Sequence, residues 1–118
     1  MGRTPQECFE NHLQALHSGD VEKIAADYTD DAIHITHGVV RRGKDGVKDA
    51  FAQLLSTLSA AGEIKALEIP IQAYGDDILF IEWSADFGHK RCDGIDTFVF
   101  QEGLIRVQTL HYKIKPTG

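Results

Sequence analysis

From Ile64 to Ile114 the sequence carries no helical period: four β-branched and aromatic runs are separated only by turn residues. The strands read as Ile64 to Tyr74, Ile78 to Phe87, Arg91 to Phe100 and Leu104 to Ile114. Their turns are Gly75-Asp76-Asp77, Gly88-His89-Lys90 and the hairpin signal Glu102-Gly103. Four such runs with short turns predict an antiparallel meander, and strands of ~10 residues twist into a strongly curved sheet. Pro70 predicts an edge position or a bulge, since proline cannot donate to a ladder. The Pro116-Thr117-Gly118 tail is expected to fray.

The first half is mostly helical. Thr4-Pro5-Gln6-Glu7 is a capping box with proline at the first helical position. Phe9, Leu13 and Leu16 follow as an inward stripe with His12 beside them, until Ser18-Gly19 stops the helix. Asp20 caps a second helix, Val21 to Tyr28, burying Val21, Ile24, Ala25 and Tyr28. Ala32 to His37 is a short strand and Gly38 to Gly43 a loop. A third helix from about Lys44 to Ser59 buries Val47, Ala50, Phe51, Leu54 and Leu58. The order α-α-β-α-β-β-β-β over residues 1–118 is that of a single α+β domain. Three helices cover the concave side of the sheet and leave a cone with one open end, filled by side chains or by a ligand.

Within that cone a few polar residues stand out. Asp96 interrupts an apolar run, and strand parity places it beside Gly94, Phe98 and Phe100. A carboxyl in an apolar wall is held protonated by desolvation; the alternative is an exposed carboxylate near a strand end. Leu79, Ile81, Trp83, Ala85 and Phe87 alternate cleanly, so Trp83 faces inward as filler or as a stacking platform. His12 is either a core-edge histidine or one half of an acid/base pair with Asp96. His34 and Thr36 share a strand face, and Tyr28 has its hydroxyl at the cavity rim.

The segments Ala15–Ile24, Tyr28–Ala32, Arg42–Val47, Ile95–Phe100 and Gly103–Ile105 carry a resemblance over nearly the whole chain. In them the sequence resembles the NTF2-like superfamily, and within it the SnoaL-like and ketosteroid-isomerase-like proteins. The resemblance implies the cone itself: three N-terminal helices on a curved, mostly antiparallel sheet. It places Asp96 at the position of the isomerases' oxyanion-hole acid, His12 at that of a catalytic tyrosine, and Thr36 at that of the general-base aspartate. Aligned so, Gln108, Leu110 and Tyr112 point inside, and Val107, Thr109 and His111 outside unless a bulge intervenes. The outer face is the dimer contact in this family, and Ile105, Val107 and Thr109 suit that.

The expectation is therefore a pocket protein for a small hydrophobic, polycyclic-sized molecule, acting as a cofactor-independent isomerase, dehydratase or cyclase. The acid/base groups would be Asp96, His12 and His34, and the pocket wall Tyr28, Thr36, Phe51, Trp83, Phe98, Gln108 and Tyr112. The alternative is a non-catalytic ligand-binding or dimeric association module, because Thr36 replaces the base. A net charge of −6 with no basic patch argues against nucleic acid and anionic membranes. No apolar run approaches the ~20 residues of a bilayer span, and residues 1–5 lack a signal-peptide core. Cys8 and Cys92 fit no metal or redox spacing, and His-x-x-His at 34 and 37 splits across strand faces, so neither metal nor cofactor is expected. Two unpaired thiols suggest a reducing, cytoplasmic setting.

Overall fold

The computed structural model describes residues 3–117. Helix α1 spans Pro5–Ser18, α2 Val21–Ala25 and α3 Gly43–Ala61. The strands are β1 Tyr28–Thr36, β2 Val39–Arg42, β3 Ala66–Gly75, β4 Ile78–Asp86, β5 Lys90–Gln101 and β6 Leu104–Pro116. They form one sheet in the order β2-β1-β6-β5-β4-β3, antiparallel except where β1 runs parallel to β6. The three helices lie on one face of the sheet, the NTF2-like cone. Among the described residues no helix is long and apolar enough to cross a membrane.

The local signals act as their chemistry requires. Thr4 accepts from the Glu7 amide at 3.1 Å while the Glu7 carboxylate accepts from the Thr4 amide at 2.8 Å, closing the capping box. Glu102 and Gly103 both take positive φ (52° and 80°), the twist a two-residue hairpin turn needs to match its strands. Pro70 satisfies both expectations at once: β3 is an edge strand, and its pairing with β4 shifts between Glu68 and Ile71. Leu79, Ile81, Ala85 and Phe87 are buried with Asp96, Phe98 and Phe100, as period-2 patterning demands.

Four readings need correction. Helix α2 ends at Ala25, and Tyr28 opens β1 instead of closing the helix. The stretch read as a loop contains β2, because His37 (φ 51°) and Gly38 (φ 80°) make a second tight hairpin turn. Ile105, expected on the outer face, is fully buried in the core. The β5–β6 register shifts between Val99 and Phe100, leaving Arg106 as the extra residue and turning Ile105 inward. The tail is held as far as Thr117, whose amide donates to His89 O (3.1 Å) and whose hydroxyl donates to Gly88 O (3.0 Å). Gly118 lies outside the described residues.

The registers order the concave face into rows. Arg41, His34, Gln108, Phe98 and Leu79 are successive cross-strand partners. The next row toward the open end is Thr36, Leu110, Asp96 and Ile81, and the one beyond is Tyr112, Gly94 and Trp83. Phe9, Tyr28, Phe51, Leu79, Phe98 and Ile105 are among the large members of the buried cluster that these rows help to form. Each contributes on the order of 1.5–3 kcal/mol by leaving water.

Candidate functional site

Asp96 is 6% exposed and hydrogen-bonded at both oxygens. Trp83 Nε1 donates to Oδ1 at 2.7 Å, and Gln108 Nε2 donates to Oδ2 at 2.8 Å. The Tyr28 hydroxyl in turn donates to Gln108 Oε1. Four side chains from β4, β5, β6 and β1 thus form one polar chain, Trp83–Asp96–Gln108–Tyr28, inside an otherwise apolar wall. The rows explain why: Gln108 and Trp83 each sit one row from Asp96, on the neighbouring strands.

Burial raises the Asp96 pKa to about 6, against the opposing pull of the two donated hydrogen bonds from Trp83 and Gln108. The expected protonated donor is therefore met by donors on both oxygens, an arrangement that suits the carboxylate. Burial and then the Asp96 charge push the Tyr28 hydroxyl well above its ordinary range, so it stays a neutral donor.

His12 and His34 do not join this chain. His12 is buried among the rings of Phe98 (5.4 Å between centroids), Phe51 (5.7 Å), Tyr28 (5.9 Å) and Phe9 (6.3 Å). Its Nδ1 has no hydrogen-bond partner among the described residues, and of the two roles open to His12 the pairing with Asp96 is not formed: the Asp96 carboxylate bonds Trp83 and Gln108. His34 lies across the Phe51 ring from β1 (5.3 Å), with Nδ1 3.0 Å from Thr36 Oγ1 and Nε2 unpartnered. Desolvation lowers both imidazoles to about 4, aided at His34 by the Arg41 charge, so both are neutral at pH 7.

The open end of the cone holds a cavity of about 110 Å³ between α3 and the sheet. Thr36, Leu110 and Tyr112 line it from the sheet, Ala50, Gln53 and Leu54 from α3, with Arg41, His37 and Val39 at the rim. Thr36 and Leu110 share Asp96's row, which places the carboxylate two strands, about 10 Å, in from Thr36. Phe51 and Phe98 pack against His12 in the interior. Of the expected pocket residues, Thr36 and Tyr112 line the cavity, Trp83, Gln108 and Tyr28 serve Asp96, and Phe51 and Phe98 pack the interior.

Two residues of the site gave little sequence signal. Gly94 lies under the Trp83 indole, where a Cβ would stand 2.2 Å from the ring carbons. Asp27, 3% exposed, accepts from Arg3 (2.9 Å) and from Asn11 (2.9 and 2.8 Å), and its charge reaches His12. Its partners Arg3 and Asn11 lie 24 and 16 residues away, pairings that no local pattern encodes. Among the described residues no group of three metal-ligating side chains assembles.

A curved sheet wrapped on three helices is the NTF2-like fold, here with a polar chain set in an apolar wall. The SnoaL-like domain family matches residues 9–108, and the chain belongs to that family. No curated protein matches the sequence. Among solved structures, the epoxide hydrolase/cyclase-like enzyme SalBIII, described for pyran ring formation in polyether salinomycin, is 19% identical with a TM-score of 0.72. That alignment covers 96% of this chain and 95% of SalBIII. An NTF-2 like protein of unknown function from Burkholderia xenovorans is 18% identical with a TM-score of 0.70, over 92% of this chain and 82% of that one. A de novo designed protein with a curved β-sheet reaches a TM-score of 0.75 at 14% identity, over 92% and 84% of the two chains. At these identities the likeness is one of fold.

Proposed function

We propose that this chain is a cofactor-independent acid/base enzyme, an isomerase or lyase, for a small and largely apolar molecule entering between α3 and the sheet. Asp96 takes a proton from an activated carbon and returns it. Trp83 and Gln108 hold its two oxygens, Tyr28 fixes the Gln108 amide, and His34 offers Nε2 to a substrate oxygen. The observation that carries this reading is the buried Asp96 carboxylate, raised to about 6 and clamped by two neutral donors. A base with a pKa near the working pH transfers protons efficiently, and a fold gains little stability from burying a charge with no counter-ion. His12, enclosed by aromatic rings, takes no part in proton transfer.

Proton abstraction can be tested without knowing the substrate. A panel of cyclic ketones is incubated with the protein in deuterated water and read by mass spectrometry. Deuterium uptake by some members with wild-type protein, and none with Asp96→Asn, supports the reading; equal uptake with both proteins removes it. A second reading rests on the small cavity at the mouth: a non-catalytic cone that holds a ligand. It gains if no ketone exchanges while an apolar molecule still co-purifies.

The same reading includes a homodimer through the outer sheet face. Ile71 (42% exposed) and Ile95 (45%) flank Glu82 in one cross-strand row there, with His111 beyond. Sedimentation of the wild type at twice the chain mass, and of Ile95→Arg at the chain mass, is the expected result. The free, buried cysteines suit a reducing compartment, so a cytoplasmic setting belongs to the proposal as well.

A further inference from the structure

Arg41 is the cation at the mouth of the cone, where it lines the cavity between α3 and the sheet. It stands opposite His34 in the β1–β2 ladder, on the concave face, and its Nη2 donates to Gln53 Oε1 on α3 at 2.7 Å. At the start of α3, Lys44 has Asp30 at 3.8 Å, and Lys48 has Glu22 at 3.0 Å and Asp45 at 3.8 Å. Arg41 has none within ion-pair reach among the described residues. The chain carries 18 Asp and Glu against 12 Lys and Arg, yet no acidic side chain lines the mouth cavity.

The remaining lining is built for a small planar anion. Gln53 offers an amide and His37 an imidazole, while Leu54, Leu110 and Tyr112 supply an apolar wall. Arg41 spends one of a guanidinium's five N–H donors on Gln53. The rest keep the fork geometry that grips a carboxylate through two bonds. Close by, His34 Nε2 is buried without a partner.

We propose that Arg41, with Gln53, binds a carboxylate on the substrate, so that the ligand is an apolar acid with its charged end at the mouth and its body directed toward Asp96. This rests on the reading of the cone as a ligand site and names the ligand's chemical class. It also gives the orientation. The carboxylate stays at the rim beside Arg41 on β2, three strand spacings or about 14 Å from Asp96 on β5, so the two negative charges do not meet.

The test uses benzoate and its uncharged counterpart benzamide, titrated into the full-length protein and followed by proton–nitrogen NMR. Benzoate is expected to shift the Arg41 Nε–H and the Gln53 side-chain amide and to bind roughly tenfold more tightly than benzamide. Arg41→Gln is expected to erase that preference, and Asp96→Asn to keep it. Equal binding of the two probes, a benzoate preference that survives Arg41→Gln, or no shift with benzoate overturns the site. The wild-type comparison stands even if Arg41→Gln folds poorly. A benzoate preference without any deuterium exchange in the ketone panel supports the site and removes the catalytic reading; exchange without a benzoate preference does the reverse.

Discussion

Gly94 and Trp83 face each other across the β4–β5 ladder, and the indole occupies the space a side chain at Gly94 would need. A Cβ there would stand 2.2 Å from the indole carbons and 2.5 Å from Nε1, the atom that donates to Asp96. The absence of a side chain at one residue therefore allows a hydrogen bond to another two positions further along the strand. Gly94→Ala must move the indole off Asp96. The expected loss is about 1–3 kcal/mol of stability from overpacking, with the Asp96 pKa rising above 6 as a bond that favours its charged form breaks. Urea unfolding and a carboxyl titration of the variant check both effects.

The pH dependence of stability has a definite sign. Asp96 is raised from 3.8 to about 6, so its contribution is full below pH 3.8 and is lost as pH rises through 6. His12 and His34 are lowered from 6.5 to about 4, so theirs is full above pH 6.5 and is lost as pH falls through 4. Between pH 4 and 6 the two histidines outweigh the one acid, and stability rises with pH by about 1.4 kcal/mol per unit. Removing the opposing acid in Asp96→Asn should steepen that slope to about 2.7 kcal/mol per unit, while His34→Gln should flatten it. Urea unfolding at several pH values reads each slope.

Gln108 is the middle of the polar chain and has no substitute. Gln108→Leu keeps the volume but leaves the Tyr28 hydroxyl without an acceptor and Asp96 with Trp83 alone. Two buried polar groups are then short of a partner, a loss of about 2–4 kcal/mol. Tyr28→Phe in the same background should restore part of it by removing one orphan. A double-mutant cycle measured by thermal unfolding shows whether the two residues act together.

Most of the fold was legible because it rests on local rules. The capping box at Thr4 and Glu7, the alternation through Leu79 to Phe87 and the Glu102-Gly103 turn are all encoded within a few residues. The parity argument for Asp96 depended on an unbroken β5, and β5 is unbroken through it. The facing of Ile105 failed because one extra residue at Arg106 reverses parity on that side, and no turn residue announces it. Tyr28 was placed on a helix since helical and strand periods both bury it; the structure uses it as a strand residue aimed at Gln108. The His12–Asp96 pair is not formed for a tertiary reason. Trp83 and Gln108 reach Asp96 from the adjacent strands, while Phe98 and Phe51 pack against the imidazole.

The central claim is that Asp96 is a buried carboxylate poised near neutrality within an apolar cone. Its side-chain carboxyl carbon can be followed directly by carbon-13 NMR as pH is changed, with Asp96→Asn identifying the resonance. The account predicts a midpoint near 6, well above the ordinary 3.8. A midpoint at or below the ordinary value would show an acid too weak as a base for the proposed proton transfer, and would contradict the account.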